Sequence, residues 1–296
     1  MTRDWENTFS SWSAGPGQTE RDRIANAERM IREAISSNEK LHNKNINIFI
    51  QGSYRNNVNV RQDSDIDIGV ECTDTFFPNY MTDEIKTKVS PTLSDATYFF
   101  AEFKNDIEEA LVNKFGRSGV SRGKKSFDIS ENTYRVEADV TPFFSHRRYV
   151  SNEIYLEGVE MITDDGKEII NWPEQHYNNG VEKNTKTARR YKRTVRIFKK
   201  LANEMASEGI KSADIPSFLI ECLIWNVKNS IFDYSTNYDR VKFSIIDVFN
   251  NTKEANVCSE WGEVSELKYL FRPIQPWTSE QANAFMSEAW NYIGFK

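Results

Sequence analysis

Apolar and polar positions along the chain switch between a helical and a strand period. Over residues 19 to 41, Ile24, Ala27, Met30, Ile31, Ala34 and Ile35 recur at helical spacing. They predict an amphipathic helix packed on a sheet, with Thr19 and Asp22 placed for a capping box. The period then drops to two. Ile46, Ile48 and Ile50 mark a half-buried strand that runs into Gly52 and Ser53. In SDIDIGVEC, Ile66, Ile68 and Val70 fall on one face and Asp65, Asp67, Gly69 and Glu71 on the other. Residues 95 to 115 read as a helix, and the Gly- and Lys-rich FGRSGVSRGKKS as a mobile loop. A third strand follows in TYRVEADVTPFF: Tyr134, Val136, Ala138 and Val140 are its apolar set, Arg135, Glu137, Asp139 and Thr141 its polar set, and Pro142 its end. DDGKE at 164 to 168 predicts a hairpin turn, and NWPEQHYNNG at 171 to 180 a polar link to an all-helical remainder. That remainder holds a helix over 183 to 206, another starting at Pro216, and a C-terminal helix capped by Thr278 or Ser279.

The 296 residues are enough for two packed lobes, divided here into 1–170 and 171–296. The fold class expected is α+β, a mixed sheet with helices followed by a helical lobe. No apolar run is long enough to cross a bilayer, and MTRDWENTFSSW lacks the pattern of an export signal, so a cytoplasmic protein is expected. Three cysteines (72, 222, 258) and three histidines (42, 146, 176) stand without metal-ligand spacing, which argues against a zinc site or a disulfide framework. A net charge of -6 argues against general nucleic-acid binding. A polyanion must therefore meet a local basic patch. One is present: nine Lys or Arg residues lie between 183 and 200, with Lys192, Arg196 and Lys199 on one helical face. A solvated basic face would look the same.

Carboxylates two residues apart on a strand sit roughly 6.5–7 Å apart at Cα, close enough to converge on a hard cation. Magnesium binds through few protein oxygens and takes the rest from water and phosphates, which makes nucleoside triphosphates its natural partners. A third carboxylate, Asp139, lies on another strand's polar face. A solitary Asp-x-Asp is also read as a solvated strand face, and Gly52-Ser53 as an ordinary turn, although glycine and an exposed amide or hydroxyl can hold a phosphate oxygen.

Gly52-Ser53, then Asp65-Ile66-Asp67 after eleven intervening residues, then a distant strand aspartate, resembles the polymerase-beta-like nucleotidyltransferase superfamily. Together, QGSYRNNVNVRQDSDIDI, HYNNGVEKNTKTARRYKRTVRIFKK, IPSFLIECLIWNV and YLFRPIQPWT resemble the bacterial cGAS/DncV-like nucleotidyltransferases, most closely clade E. The resemblance implies a bilobed enzyme that joins nucleoside triphosphates into a cyclic oligonucleotide, with the helical lobe completing the nucleotide pocket. It implies that Asp65, Asp67 and Asp139 hold Mg2+, with Mn2+ as the alternative, and that Asp139 also helps deprotonate the attacking hydroxyl. Gly52 and Ser53 would cradle the triphosphate. Lys199 and Ser217 are the pair it points to in the helical lobe, with Lys192 and Arg196 beside them and capping as the other reading of Ser217.

Tyr177 is read as a stacking platform and Asn178, Asn179 and Asn184 as base-edge readers. Asn179 is the first choice by resemblance, and Asn-Gly as a plain turn is the competing reading. The expected substrates are UTP, with ATP second, and the expected product is cyclic UMP-UMP or, second, cyclic UMP-AMP. The product would act on a separate effector in antiphage signalling. No zinc-binding Cys/His insertion like that of the animal DNA sensor is present, so direct activation by nucleic acid is not expected. A template-independent transferase with linear or small-molecule products and an inactive nucleotide-binding protein are the rival readings.

Overall fold

The strand period at 46–50 is realised as β1 (Ile46–Ile50) in the computed structural model, which describes residues 3–15, 17–60 and 65–296. The sheet continues with β2 (Ile66–Tyr80), β3 (Val120–Arg122), β4 (Phe127–Ile129), β5 (Ala138–Tyr149), β6 (Tyr155–Ile162) and β7 (Glu168–Asn171). Strand order is β1-β2-β5-β4-β3, and β6 pairs with the second half of β5 and carries β7. Only the β2–β5 pair is parallel among these ladders. The mixed sheet is the one expected.

Ile66, Ile68, Val70 and Cys72 are fully buried in a core shared with Ile24, Ala27 and Ile31 of α2 (Gln18–Ser36) and with Phe103 and Ile107 of α5 (Phe100–Phe115). Past an irregularity between Cys72 and Phe76, β2 and β5 continue outward. There Tyr149 packs with Ile85 and Val89 of α4 (Asp83–Val89) in a separate small cluster.

Several local readings need correction. The cap of α2 is Gly17, with no side-chain cap bond, so the Thr19–Asp22 capping box does not form. The helix stops at Ser36 rather than 41, because the Asn38 side chain accepts from the Lys40 and Leu41 amides and holds a turn there. FGRSGVSRGKKS is not simply a loop: it supplies β3, which pairs with β4 through buried Val120, Phe127 and Ile129. The third predicted strand starts at Ala138, not Tyr134, since Asn132 Oδ1 accepts from the Tyr134 and Arg135 amides in a turn, 2.9 Å each. Nor does Pro142 end it. β4 pairs with β5 only as far as Val140 and β6 only from Phe144, so Pro142 falls in a gap between ladders where a missing N–H costs little. The 164–168 turn does form, closed by Lys167 O accepting from the Thr163 amide at 2.9 Å.

The chain divides into two compact units: residues 17–54 with 65–173, and residues 3–15 with 55–60 and 174–296. One break falls at 173/174, and 3–15 and 55–60 group with the helices. Trp5, Phe9 and Trp12 share one face of α1 (Trp5–Trp12) and pack on the helical core. Arg196 fastens both segments, donating to the carbonyls of Ser13 (2.7 Å) and Asn57 (2.5 Å).

The other helices of this unit are α6 (Pro173–Lys186), α7 (Tyr191–Ser207), α8 (Ser217–Asn226), α9 (Asn237–Thr252) and α10 (Ser279–Ile293). The polar link read at 171–180 is mostly the first half of α6. The helix read over 183–206 is broken at Ala188 and Arg189, both at positive φ (48° and 64°). Side chains stabilise the break: Thr187 Oγ1 accepts from the Tyr191 amide and Asn184 Oδ1 from the Lys192 amide, capping α7. Thr278 forms a capping box with Gln281, and α10 ends at left-handed Gly294. No helix among the described residues is long and apolar enough to cross a membrane.

Candidate active site

Sheet register gathers the aspartates. Asp67 of β2 and Asp139 of β5 are direct Cα partners, and Asp128 of β4 is the partner of Asp139 on its other side. Directly paired residues project to the same face of a sheet, so three adjacent strands present a row of carboxylates at about 4.8 Å strand spacing. Asp65, two residues before Asp67, continues the row and is exposed; the intervening Ile66 is buried on the opposite face. The polar loop between Gly52-Ser53 and the aspartates ends in residues 61–64, which lie outside the described residues.

Burial pushes the Asp139 carboxyl up, and the charge and hydrogen bond of Asp128 and the charges of Asp67 and Asp65 push it further, to about 7. This negative charge on one sheet face suits a divalent cation, which would neutralise it through oxygen donors of the kind magnesium prefers. Among the described residues no three candidate ligands are already drawn together around a metal position. A pH effect follows. From about pH 4 to about pH 7 the folded chain keeps a proton on Asp139 that the unfolded chain has released, so this group's contribution to stability falls as pH rises through that window. In metal-free protein, Asp139→Asn is therefore expected to raise stability over the parent at about pH 8 and to leave it unchanged at about pH 4, read by denaturant melts in chelator.

Gly52 is built into the same site. Its φ of +65° is left-handed, and a Cβ there would stand 2.0 Å from Asp67 Oδ2. The Gln51 amide donates to Asp67 O at 2.9 Å, fixing the end of β1 beside the carboxylate. Gly52 and half-buried Ser53 open the short helix α3 (Gly52–Arg55).

In the helical unit, the predicted basic residues Lys192, Arg196 and Lys199 lie on α7, but all are buried. Arg196 is committed to the two carbonyls of Ser13 and Asn57, and burial pushes its guanidinium down to about 10. That makes it a tie for the N-terminal segment, an explanation for its charge that needs no phosphate. Lys192 Nζ lies 5.5 Å from the Tyr177 ring centroid, and the Arg55 guanidinium 5.0 Å from it. Tyr177 is thus already covered by cations rather than presented bare for stacking. Arg55 also pairs with Glu174.

Ser217 is the first residue of α8, and Pro216 is the cap, with no side-chain cap bond. Lys199 Nζ lies 4.0 Å from Glu221 Oε2. Asn179 and Gly180 are inside α6, so the Asn-Gly turn is not formed. Asn179 Nδ2 donates to Val264 O at 2.9 Å, Asn184 caps α7, and Asn178 is exposed. Because a carbonyl only accepts, the Asn179 amide turns its NH2 toward Val264 and its oxygen away from it.

Sequence reasoning missed Asp128, Arg55, His176 and Glu221. For Asp128 a signal existed: Phe127 and Ile129 bracket it with strand alternation, overshadowed by glycine and lysine neighbours. His176 and Glu221 meet only in the tertiary structure, as do Arg55 and Tyr177.

A family model described as the cGAS/DncV-like nucleotidyltransferase C-terminal helical domain matches residues 178–294. The chain is 48% identical over 297 residues to the cyclic dipyrimidine nucleotide synthase CdnE of Cecembia lonarensis, covering 100% of each. Two solved structures are similar. The Elizabethkingia meningoseptica CdnE cyclic dinucleotide synthase with GTP and Apcpp matches at TM-score 0.82 and 36% identity, over 98% of this chain and 99% of that one. The Rhodothermus marinus CdnE c-UMP-AMP synthase with Apcpp and Upnpp matches at 0.84 and 29%, over 98% and 97%. With the mixed sheet and the helical domain, these matches establish the class: the protein is a nucleotidyltransferase. It belongs to the cGAS/DncV-like nucleotidyltransferases and is of the CdnE type.

Proposed function

We propose that the protein joins two nucleoside triphosphates into a cyclic dinucleotide containing uracil, cyclic UMP-UMP first and cyclic UMP-AMP second. The carrying observation is the row of aspartates on adjacent strands with Gly52 packed against Asp67. Asp65, Asp67 and Asp139 would hold magnesium, or manganese, which when bound neutralises charge on the reacting phosphates and activates the attacking hydroxyl. Asp139 would also help deprotonate the attacking ribose hydroxyl. Each round forms one phosphodiester bond, breaks the bond between the α- and β-phosphates and releases pyrophosphate. Gly52 and Ser53 of the sheet-bearing unit would hold triphosphate oxygens, and so, in the helical unit, would Lys199 and Ser217, with Lys192 adding positive charge on the same helix as Lys199. As in the family, the product acts on a separate effector in antiphage signalling.

Uracil is favoured by the orientation of Asn179. Its amide oxygen is an acceptor for the N3–H of uracil, whereas cytosine presents an acceptor at the same position. Asn179→Ser is expected to lower the UTP-to-CTP incorporation ratio about tenfold; an unchanged ratio means this side chain does not choose the base.

The decisive assay incubates the protein with all four nucleoside triphosphates and Mg2+, followed by phosphatase and mass spectrometry. A phosphatase-resistant species at the mass of two joined UMP units, or of UMP plus AMP, supports the reading. Linear, phosphatase-sensitive products point to a template-independent transferase, and binding without pyrophosphate release to an inactive nucleotide-binding protein.

A further inference from the structure

The helical unit buries a group of cations around one carboxylate. Glu221 is 3% exposed and Lys199 1% exposed, with His176 and Lys192 nearly as deep. His176 Nε2 lies 2.9 Å from Glu221 Oε1, and the other carboxylate oxygen lies 4.0 Å from Lys199 Nζ. The imidazole also packs on Phe218, the residue after Ser217, at 5.8 Å between ring centroids. One pair thus touches both the lysine and the start of the helix that carries the serine assigned to the triphosphate.

An ammonium in a protein core needs a counter-charge, or it loses its proton. Before a nucleotide arrives, Glu221 is placed to supply one. Its separation from Nζ is too long for a hydrogen bond, so it acts on the lysine by charge. Burial pushes the Glu221 carboxyl up, yet His176, Lys199 and Lys192 outweigh it and hold the group below the usual carboxylate range. Burial lowers Lys192, with Glu221 opposing and Arg196 adding to that effect. Other ionisable groups around the cluster are Tyr191, Cys222 and Glu263, all pushed upward by burial, and Tyr177, which lies between Lys192 and Arg55. Glu221 is therefore the carboxylate on which the cations converge.

We propose that the His176–Glu221 pair is a positioning device for Lys199: the carboxylate keeps the lysine buried as an ammonium ready for a triphosphate, and the imidazole fixes the carboxylate's orientation. This rests on the reading of Lys199 as a triphosphate ligand.

The test measures KM and kcat for UTP at about pH 7 and about pH 9 in the full chain, with a thermal melt for each variant. Glu221→Gln is expected to raise KM about tenfold at the lower pH and further at the higher one, with a smaller change in kcat. A merely structural role would lower the melting temperature without making KM depend on pH. Lys199→Met separates the two readings. If it leaves KM unchanged, the triphosphate role of Lys199 and this inference both fall; if it raises KM while Glu221→Gln leaves KM unchanged and flat with pH, only this inference falls. Should Glu221→Gln fail to fold, His176→Leu and His176→Gln replace it, since both leave the carboxylate in place. A pH-dependent rise in KM with leucine, rescued by glutamine, supports the device, and a flat KM in both overturns it.

Discussion

Asp67→Asn is expected to lower nucleotide condensation by on the order of 1,000-fold or more, while the thermal melt of the metal-free protein stays level or rises. Asparagine keeps the volume and the strand but removes the charge a cation would hold. Asp67 is the central carboxylate by register, paired with Asp139 across β2 and β5 and abutted by Gly52. Deleting one of several mutually repelling carboxylates relieves the free protein, since Asp67 is one of the charges that raise Asp139. Loss of activity together with retained stability separates a site residue from a structural one. Pyrophosphate release and a melt in chelator are the measurements, and retained product formation refutes the metal assignment.

The second large effect is expected at Gly52. Alanine there must adopt a left-handed backbone at a cost of about 1–2 kcal/mol, and its Cβ would stand 2.0 Å from Asp67 Oδ2, so the carboxylate has to move. A displacement of this size in a ligand oxygen is expected to cost about 100-fold in turnover. Gly166, at the tip of the β6–β7 hairpin, is the control: it is left-handed too (φ +82°), but a Cβ there meets nothing within 4 Å. Gly166→Ala should share the loss of stability and keep turnover within about twofold. Equal activity losses in the two alanine variants would show that backbone strain, not the Asp67 carboxylate, is what Gly52 relieves.

The faces of Asp65, Asp67 and Asp139, though not Asp128, were legible because period-two alternation assigns faces without knowledge of strand pairing. Ile66 and Ile68 point one way, Asp65 and Asp67 the other. The same reasoning located β1, and turn chemistry located the 164–168 hairpin and the Thr278 cap. Less legible were features where tertiary context overrides a local rule. Proline ends a strand only where its missing N–H would have been used, and Pro142 sits between two ladders. Ala188 and Arg189 are poor choices for positive φ; side chains of Thr187 and Asn184 hold the break there. In the helical unit, Lys192, Arg196 and Lys199 were correctly read as sharing a face, but what each one contacts depends on distant residues such as Ser13, Tyr177 and Glu221. One-dimensional spacing carries no information about those partners.

The placement of α1 has a consequence for biosynthesis. Its apolar face of Trp5, Phe9 and Trp12 leaves the ribosome well before the surfaces it packs on, which come from α7 and α9 and from Tyr292. Glu6 must wait for the amides of Asn237 and Tyr238, and the Ser13 carbonyl for Arg196. At about 5–20 residues per second, that wait lasts on the order of tens of seconds. For that time a tryptophan-rich helix has no docking site, while the sheet-bearing unit, whose last strand ends at Asn171, can be completed. The helical unit is thus closed by a segment that is made well before the residues it packs on, so its apolar face is exposed to solvent in the interval.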